Sequence, residues 1–186
     1  MLDTVKNRVN GLDLNALGEV VEAIGQDPAQ AKVAFDVTTR WTGQTRSESI
    51  VDGFTLGGER IARSHKIVAD EPCELLGADS APNPQEMLMT AFNACVMVGY
   101  VAGAAVKGIR LERLEIETRG QLDLRGFLGL RDDVAPGYES IDYEVRIKGD
   151  GTKEQFAEIH EAVIATSPNF FNIANAVALK PTLKVE

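Results

Sequence analysis

A run of 20 residues without a charged side chain, 87–106, constrains the fold of this chain more than any other feature. Asn83 before the run is a good helix N-cap, Glu86 can complete a capping box with it, and Gly108 suits a helix stop. The sequence therefore predicts one helix over about 84–107. Because this helix is apolar almost all round, it must be buried on most of its sides.

The same run is long enough to be considered as a membrane span. Gly99 and Gly103 also have the spacing of small residues found in paired membrane helices. Against a span, Thr90, Asn93 and several alanines lower the hydropathy of the run, and the chain contains no second candidate. We therefore predict a core helix of a soluble protein. Gly99 and Gly103 are then expected where another backbone, such as that of a symmetry-related helix, approaches closely.

Composition narrows the class of protein. A chain of 186 residues with 44% hydrophobic and 25% charged residues suits a globular domain. Its net charge of −9 disfavours nucleic acid and anionic membranes as partners. Two cysteines cannot form a disulfide framework, and the first residues lack the pattern of a signal peptide. We expect a cytoplasmic protein with reduced thiols, and no residue spacing indicates a metal or a cofactor.

Alternation of apolar and polar residues predicts the strands. They are expected at 33–41, 45–51, 60–69, 114–124, 141–147 and 183–185. Asp52-Gly53 and Gly57-Gly58 are turn signals, and 126–137 is expected to be a flexible loop.

Two more helices are predicted on either side of these strands. One covers 14–24 after Asp13, and its apolar residues have helical spacing. The other begins after a capping box of Thr152 with Gln155 and ends or bends at Ser167.

The resulting order is α-β-β-β-α-β-β-α-β. Strands joined by short turns, with the helices set apart from them, predict an α+β fold with antiparallel sheets. We expect an N-terminal helical extension over 1–30 and a single domain over 31–186.

Cys95 lies in the middle of the predicted central helix. A thiol in such a helix is ordinarily a small core residue, and the alternative is a reactive cysteine. At 100° per residue, Glu86 points to the opposite side of the helix, whereas Gln85, Leu88 and Phe92 lie nearer the face of the thiol. Glu86 is therefore expected to be a cap rather than a catalytic carboxylate.

Two short motifs resemble those of a known family. Asn83-Pro84, a polar pair, an apolar helix and then Cys95 resemble the first motif of the OsmC/Ohr family of osmotically inducible and organic hydroperoxide resistance proteins. His160 followed by Ser167-Pro168 is similar to the second motif. The element order from about residue 32 also matches, and the leading helix resembles an extension of some members. The resemblance implies antiparallel sheets wrapped around a central buried helix, in an intertwined homodimer with active sites at the subunit interface.

The resemblance also implies a catalytic apparatus. Peroxidase members reduce an organic hydroperoxide with a cysteine on the central helix, a second cysteine resolves the sulfenic acid, and an arginine and a glutamate polarise the site. Cys95 takes the position of the reactive cysteine, Ser167 that of the resolving cysteine and Gln85 that of the glutamate. Arg46 most plausibly corresponds to the arginine, with Arg40 as the fallback. A solvated strand arginine is the alternative for Arg46.

These replacements lead to further expectations. An unaided thiol titrates near pH 8.5, so a nearby arginine is needed to favour the thiolate. Loss of the carboxylate at Gln85 is expected to free Arg46 from an ion pair. Cys73 is a candidate resolving cysteine, and an external thiol is the alternative. His160 is expected at a boundary or as a helix cap. The apolar residues expected to line a substrate pocket are Leu88, Phe92, Phe170 and Phe171.

The sequence thus predicts an OsmC-like, thiol-dependent peroxidase that reduces organic hydroperoxides in the oxidative stress response, in a one-cysteine or weakened form. Its expected partners are a second copy of the chain and an external dithiol reductant such as a lipoylated protein. The alternative is a non-peroxidase member that binds a small apolar ligand at the dimer interface.

Overall fold

The computed structural model describes residues 7–185 and divides the chain into two compact units, Met1–Thr90 and Ala91–Glu186. The division falls inside the central helix. The division into an N-terminal helical extension over 1–30 and a single domain over 31–186 stays a prediction.

The first unit begins with a two-stranded hairpin, β1 (Arg8–Val9) and β2 (Leu12–Asp13), followed by the helix α1 (Leu14–Gln26). The Asp13 carboxylate accepts hydrogen bonds from two amides of the first turn and is the N-cap. The predicted helix is confirmed. A 3-10 turn, Pro28–Ala31, leads from it to the sheet.

A four-stranded antiparallel sheet makes up most of the first unit. Its strands are β3 (Val33–Phe35), β4 (Thr38–Gly43), β5 (Arg46–Leu56) and β6 (Glu59–Ala69). β6 pairs along almost all of one edge of β5, so β3 and β4 follow one another along the other edge. The predicted strand 33–41 is therefore two strands. They are separated at Asp36, whose carboxylate is bound by Arg60 at 2.5 Å.

Glycine has two different functions in this sheet. The prediction of a turn at Asp52-Gly53 is wrong, because β5 continues through it. The register against β6 shifts at a bulge between the pairs Val51–His65 and Gly53–Ala62, where β6 has one residue more than β5. A Cβ on Gly53 would lie 2.6 Å from the carbonyl oxygen of Ile61, so the bulge depends on glycine. The predicted turn at Gly57-Gly58 is confirmed, with positive φ at both residues.

A buried carboxylate holds the segment that follows β6. Asp70 is 1% exposed and accepts hydrogen bonds from the hydroxyls of Ser80 and Thr45, each at 2.7 Å. The amides of Glu71, Ala78 and Ser80 also donate to it, at 2.9, 3.3 and 3.1 Å. These bonds, the Ser80 hydroxyl first, hold the pKa of Asp70 far below its usual range. Asp70 thereby fixes the path of the chain toward the central helix.

The central helix is α2 (Pro84–Val106), close to its predicted bounds. The predicted capping box is confirmed. The Glu86 amide donates to the Asn83 side chain at 2.9 Å, and the Asn83 amide donates to the Glu86 carboxylate at 2.8 Å. α2 is long and apolar enough to cross a membrane, with a mean hydropathy of 1.6. Core helices meet the same criteria, and Val96, Tyr100 and Ala104 of α2 are at most 1% exposed. Burial of this side supports a core helix. Val98 and Val106 are 69% and 67% exposed, so the expectation of burial on most sides is wrong for the single chain.

The second unit contains a two-stranded antiparallel sheet and three helices besides its part of α2. They are β7 (Leu111–Gly120), α3 (Leu124–Phe127), β8 (Ile141–Gly149), α4 (Lys153–Thr166) and α5 (Pro168–Ala174). β7 ends earlier than predicted, and α3 occupies the end of the predicted strand 114–124. The capping box of Thr152 and Gln155 is confirmed, and the chain bends at Ser167 as expected.

The core of the second unit lies between α2, α4 and one face of the sheet. A Cβ on Gly99 would lie 2.9 Å from Val163, and one on Gly103 would lie 3.1 Å from Ile159. The two glycines therefore make room for side chains of α4 in the same chain. The expectation of a second backbone at this place is wrong.

The last described segment, 175–185, contains no strand. The prediction of a strand at 183–185 is therefore wrong for the single chain. Leu183 and Val185 are each 86% exposed. Alternation alone cannot form a strand, because the segment also needs a sheet edge to pair with.

Candidate active site

Cys95 and Ser167 meet in the second unit. Cys95 is half-buried on α2, and its Sγ lies 3.5 Å from the Oγ of Ser167. Ser167 is 6% exposed and is the N-cap of α5, where its Oγ accepts a bond from the amide of Phe170 at 3.4 Å. Because that bond uses the hydroxyl oxygen as acceptor, the hydroxyl proton can be donated to the sulfur of Cys95.

An aromatic cavity lies close to this contact. Phe92 is one turn before Cys95 on α2, and Phe170 is three residues after Ser167. The ring of Tyr143 makes edge contacts with both, with centroids 5.1 Å from Phe92 and 6.5 Å from Phe170. The cavity has a volume of about 280 Å³. Burial raises the pKa of Tyr143, which indicates a poorly hydrated surrounding.

Two of the four expected pocket residues line this cavity, Phe92 and Phe170. The other two have a different placement: Leu88 is 42% exposed and Phe171 is 62% exposed. Sequence reasoning missed Tyr143, which joins the two cavity phenylalanines. Its place in the alternation of β8 on the inward face was the available signal.

Arg46 lies on β5 in the first unit and is already paired. Its guanidinium lies 2.6 Å from the Glu48 carboxylate and bonds the Thr42 hydroxyl at 3.2 Å. Lys66 binds the other oxygen of Glu48 at 2.7 Å. Lys66 and Arg46 together hold the pKa of Glu48 below its usual range. The expectation that Gln85 frees Arg46 from an ion pair is therefore wrong.

Glu48 is the residue that sequence reasoning missed here. It stands two positions after Arg46 on the same strand, and residues at that spacing share a face of the sheet. Arg40 lies directly opposite Glu48 on β4 and so belongs to the same face. Both candidate arginines therefore lie on one surface of the first unit.

The remaining predicted residues lie elsewhere. Gln85 is exposed in the first turn of α2, and Cys73 is exposed in a 3-10 helix, Cys73–Leu75. His160 lies in the middle of α4, so it is no helix cap, and it bonds Tyr100. Within residues 7–185, no three His, Cys, Asp or Glu side chains are grouped as a metal ion would need.

Comparison with known proteins supports this description of the fold. The structure is similar to the crystal structure of an OsmC-like protein from Mycoplasma pneumoniae, with a TM-score of 0.59, 16% identity, and coverage of 75% of this chain and 86% of the other. It is also similar to an OsmC-like protein of unknown function from Vibrio cholerae, with a TM-score of 0.56, 14% identity, and coverage of 73% and 90%. Identities this low show the fold alone.

A comparison with curated proteins gave no match. The family model described as OsmC-like protein matches residues 77–182, which is more than half of the chain. This range includes α2 with Cys95, the β7–β8 sheet and the α4–α5 junction with Ser167. The chain therefore belongs to the family of OsmC-like proteins.

Proposed function

We propose that this protein is a one-cysteine, thiol-dependent peroxidase that reduces organic hydroperoxides in the oxidative stress response. The observation that carries the proposal is the distance of 3.5 Å between the Cys95 sulfur and the Ser167 hydroxyl. The Ser167 hydroxyl can donate a hydrogen bond to this sulfur, and the thiolate is the nucleophilic form of cysteine.

In the first step, the Cys95 thiolate attacks the terminal oxygen of the hydroperoxide. A sulfur–oxygen bond forms, the oxygen–oxygen bond breaks, and the alkoxide leaves and takes up a proton. Cysteine is oxidised by two electrons to sulfenic acid, and the hydroperoxide is reduced to an alcohol and contributes one oxygen. In this proposal Arg46, with Arg40 as the alternative, binds the peroxide oxygens, and Gln85 donates a hydrogen bond.

Resolution of the sulfenic acid needs an external reductant, because serine cannot form a disulfide. One thiol of a dithiol attacks the Cys95 sulfur, a mixed disulfide forms and water leaves. The second thiol of the reductant then releases Cys95 and leaves with its own disulfide. Cys73 remains the alternative resolving residue, and its removal tests it directly.

The aromatic cavity is proposed to hold the organic group of the substrate. Phe92, Tyr143 and Phe170 offer ring edges and faces to an apolar body, and the volume of about 280 Å³ suits a single small group. A hydroperoxide with an aryl substituent, such as cumene hydroperoxide, matches this lining.

A second copy of the chain completes the proposed protein. The resemblance to the OsmC/Ohr family implies an intertwined homodimer. Large apolar side chains of the first unit are exposed, among them Phe35 at 68% and Trp41 at 75%, and an intertwined homodimer would cover such surfaces. We place the dimer in the cytoplasm, where dithiol reductants are maintained.

The test is consumption of cumene hydroperoxide by the full chain with dithiothreitol as donor. We expect Cys95→Ser to reduce turnover to the rate of dithiothreitol alone, and Cys73→Ser to retain the rate of the wild type. Equal consumption of cumene hydroperoxide by the wild type and Cys95→Ser would refute the proposed peroxidase activity. Loss of turnover in Cys73→Ser would instead assign the resolving step to Cys73.

A non-peroxidase protein that binds a small apolar ligand is the second candidate. The aromatic lining of the cavity favours it, together with an Arg46 that is already paired with Glu48. It predicts that Cys95 stays a free thiol after a stoichiometric dose of cumene hydroperoxide. Detection of sulfenic acid at Cys95 by mass spectrometry would exclude this candidate.

A further inference from the structure

A second cavity in the Ala91–Glu186 unit has no part in the proposed peroxidase chemistry. Its volume is about 330 Å³, and its walls come from α2, β8 and α4. The residues that line it are Tyr100, Tyr143, Val145, Ile147, Phe156, Ala157 and His160. Tyr143 also lines the aromatic cavity near Cys95.

The polar end of this cavity is a bonded pair. Tyr100 is 1% exposed, and its hydroxyl forms a hydrogen bond with Nδ1 of His160. Burial raises the pKa of Tyr100 to about 12, so the phenol keeps its proton near neutral pH. A buried hydroxyl proton needs an acceptor, and Nδ1 of His160 provides it. With Nδ1 as the acceptor, Nε2 is the ring nitrogen whose N–H can be donated.

The rest of the lining is apolar. Val145 and Ile147 come from β8, and Phe156 and Ala157 come from α4. A volume of this size lies at the lower end of the range for ligand sites, so a body of about ten carbon atoms fits and a nucleotide does not.

The charge of the lining selects among ligands with an acceptor group. No carboxylate, lysine or arginine is among the residues that line the cavity. A carboxylate ligand would therefore find no counter-charge in the lining, whereas a neutral carbonyl needs none. We propose that this cavity is a binding site for a small neutral carbonyl compound with a bicyclic apolar body, held by a hydrogen bond from Nε2 of His160.

The test uses the full chain and a pair of probes that differ in one atom group. α-Tetralone has the apolar body and the carbonyl, and tetralin has the same body without the carbonyl. Binding is measured by NMR from the side-chain resonances of Val145, Ile147 and the His160 ring. We expect α-tetralone to bind about 3- to 10-fold more tightly than tetralin, which is the usual net contribution of one hydrogen bond.

The variants separate the His160 bond from apolar burial. His160→Phe keeps an aromatic ring without the donor and is expected to bind both probes equally. His65→Phe, which replaces the exposed histidine of β6, is the matched control and should keep the wild-type ratio. Folding of each variant is checked by its far-UV circular dichroism and methyl spectrum.

Three outcomes would overturn the proposal. The first is equal binding of α-tetralone and tetralin by the wild type. The second is an affinity ratio of the two probes that survives in His160→Phe. The third is the absence of any NMR shift at the lining residues, as occurs if a second copy of the chain fills the cavity. Tighter binding of 1-naphthoate than of α-tetralone would overturn the neutral ligand class. Because Cys95 is not involved, these results are independent of the peroxidase assay.

Discussion

The two units of the chain differ in how they are stabilised. In the second unit, Val96 and Tyr100 of α2 pack with Ile159 and Val163 of α4 in a buried core. In the described part of the first unit, residues 7–90, the buried residues are Gly53 and Asp70, and neither is a large apolar side chain. The second unit is thus held by apolar burial. The first unit depends on backbone pairing and on the hydrogen bonds to the buried Asp70 carboxylate.

The largest expected effect is in the core of the second unit. Ile159 is 2% exposed, so Ile159→Ala removes buried methyl groups and leaves a cavity. We expect it to lower the free energy of unfolding by about 2–5 kcal/mol. The matched variant in the first unit is Ile61→Ala, at a side chain that is 38% exposed. Urea unfolding of both variants at low protein concentration measures the two losses of unfolding free energy. An equal loss in Ile61→Ala would contradict the difference between the two units.

A smaller effect is expected where backbone geometry holds the first unit. A methyl group at Gly53 would meet the carbonyl oxygen of Ile61, which belongs to the pairing strand and cannot rotate away. We expect Gly53→Ala to lower the free energy of unfolding by about 1–3 kcal/mol. Gly137→Ala controls for the loss of a glycine, since open space surrounds that position and its φ is not positive. Unchanged stability in Gly53→Ala would show that the bulge is not constrained by contact.

The hydrogen bonds to the buried Asp70 carboxylate predict that the stability of the chain depends on pH. Its pKa is lower in the folded chain than in the unfolded chain, where it is about 3.9. The stabilisation is therefore fully present above pH 4 and is lost as the pH falls toward the folded pKa. Asp70→Asn should show a flatter fall in thermal midpoint between about pH 4 and pH 2 than the wild type. Parallel curves for the two proteins would contradict this role.

The smallest effect is expected at an exposed aromatic of the first unit. Trp41 is 75% exposed, so Trp41→Ser should change the unfolding free energy of a single chain by no more than about 0.5 kcal/mol. If a second copy covers the sheet, the same variant should weaken self-association. Analytical ultracentrifugation measures that change. Full self-association by Trp41→Ser would exclude this surface from the dimer.

Local signals in the sequence predicted much of the fold. The capping boxes of Asn83 with Glu86 and of Thr152 with Gln155 depend on residues three apart, and both are confirmed. The α+β class is confirmed as well, because alternation marks antiparallel strands. Asp52-Gly53 was misjudged because a turn and a bulge have the same local sequence, and only the pairing of β6 distinguishes them.

The site was harder to predict than the fold because it depends on contacts between distant elements. The ion pair of Arg46 with Glu48 was missed, although the two residues are neighbours on one face of β5. The carboxylate beside Arg46 belongs to Glu48 and not to the position of Gln85 that the resemblance indicates. The predicted strand at 183–185 does not form in the single chain for a related reason, since alternation does not reveal whether a sheet edge is available for pairing.

The most direct test of the central claim is mass spectrometry of Cys95 after one equivalent of cumene hydroperoxide. With dimedone present, we predict a sulfenic acid adduct at Cys95 in the wild type. In Ser167→Cys, without dimedone, we predict a disulfide between positions 95 and 167, because the Sγ and Oγ atoms are already 3.5 Å apart. An unmodified Cys95 in the wild type would contradict the peroxidase, and the absence of the disulfide in Ser167→Cys would contradict the geometry.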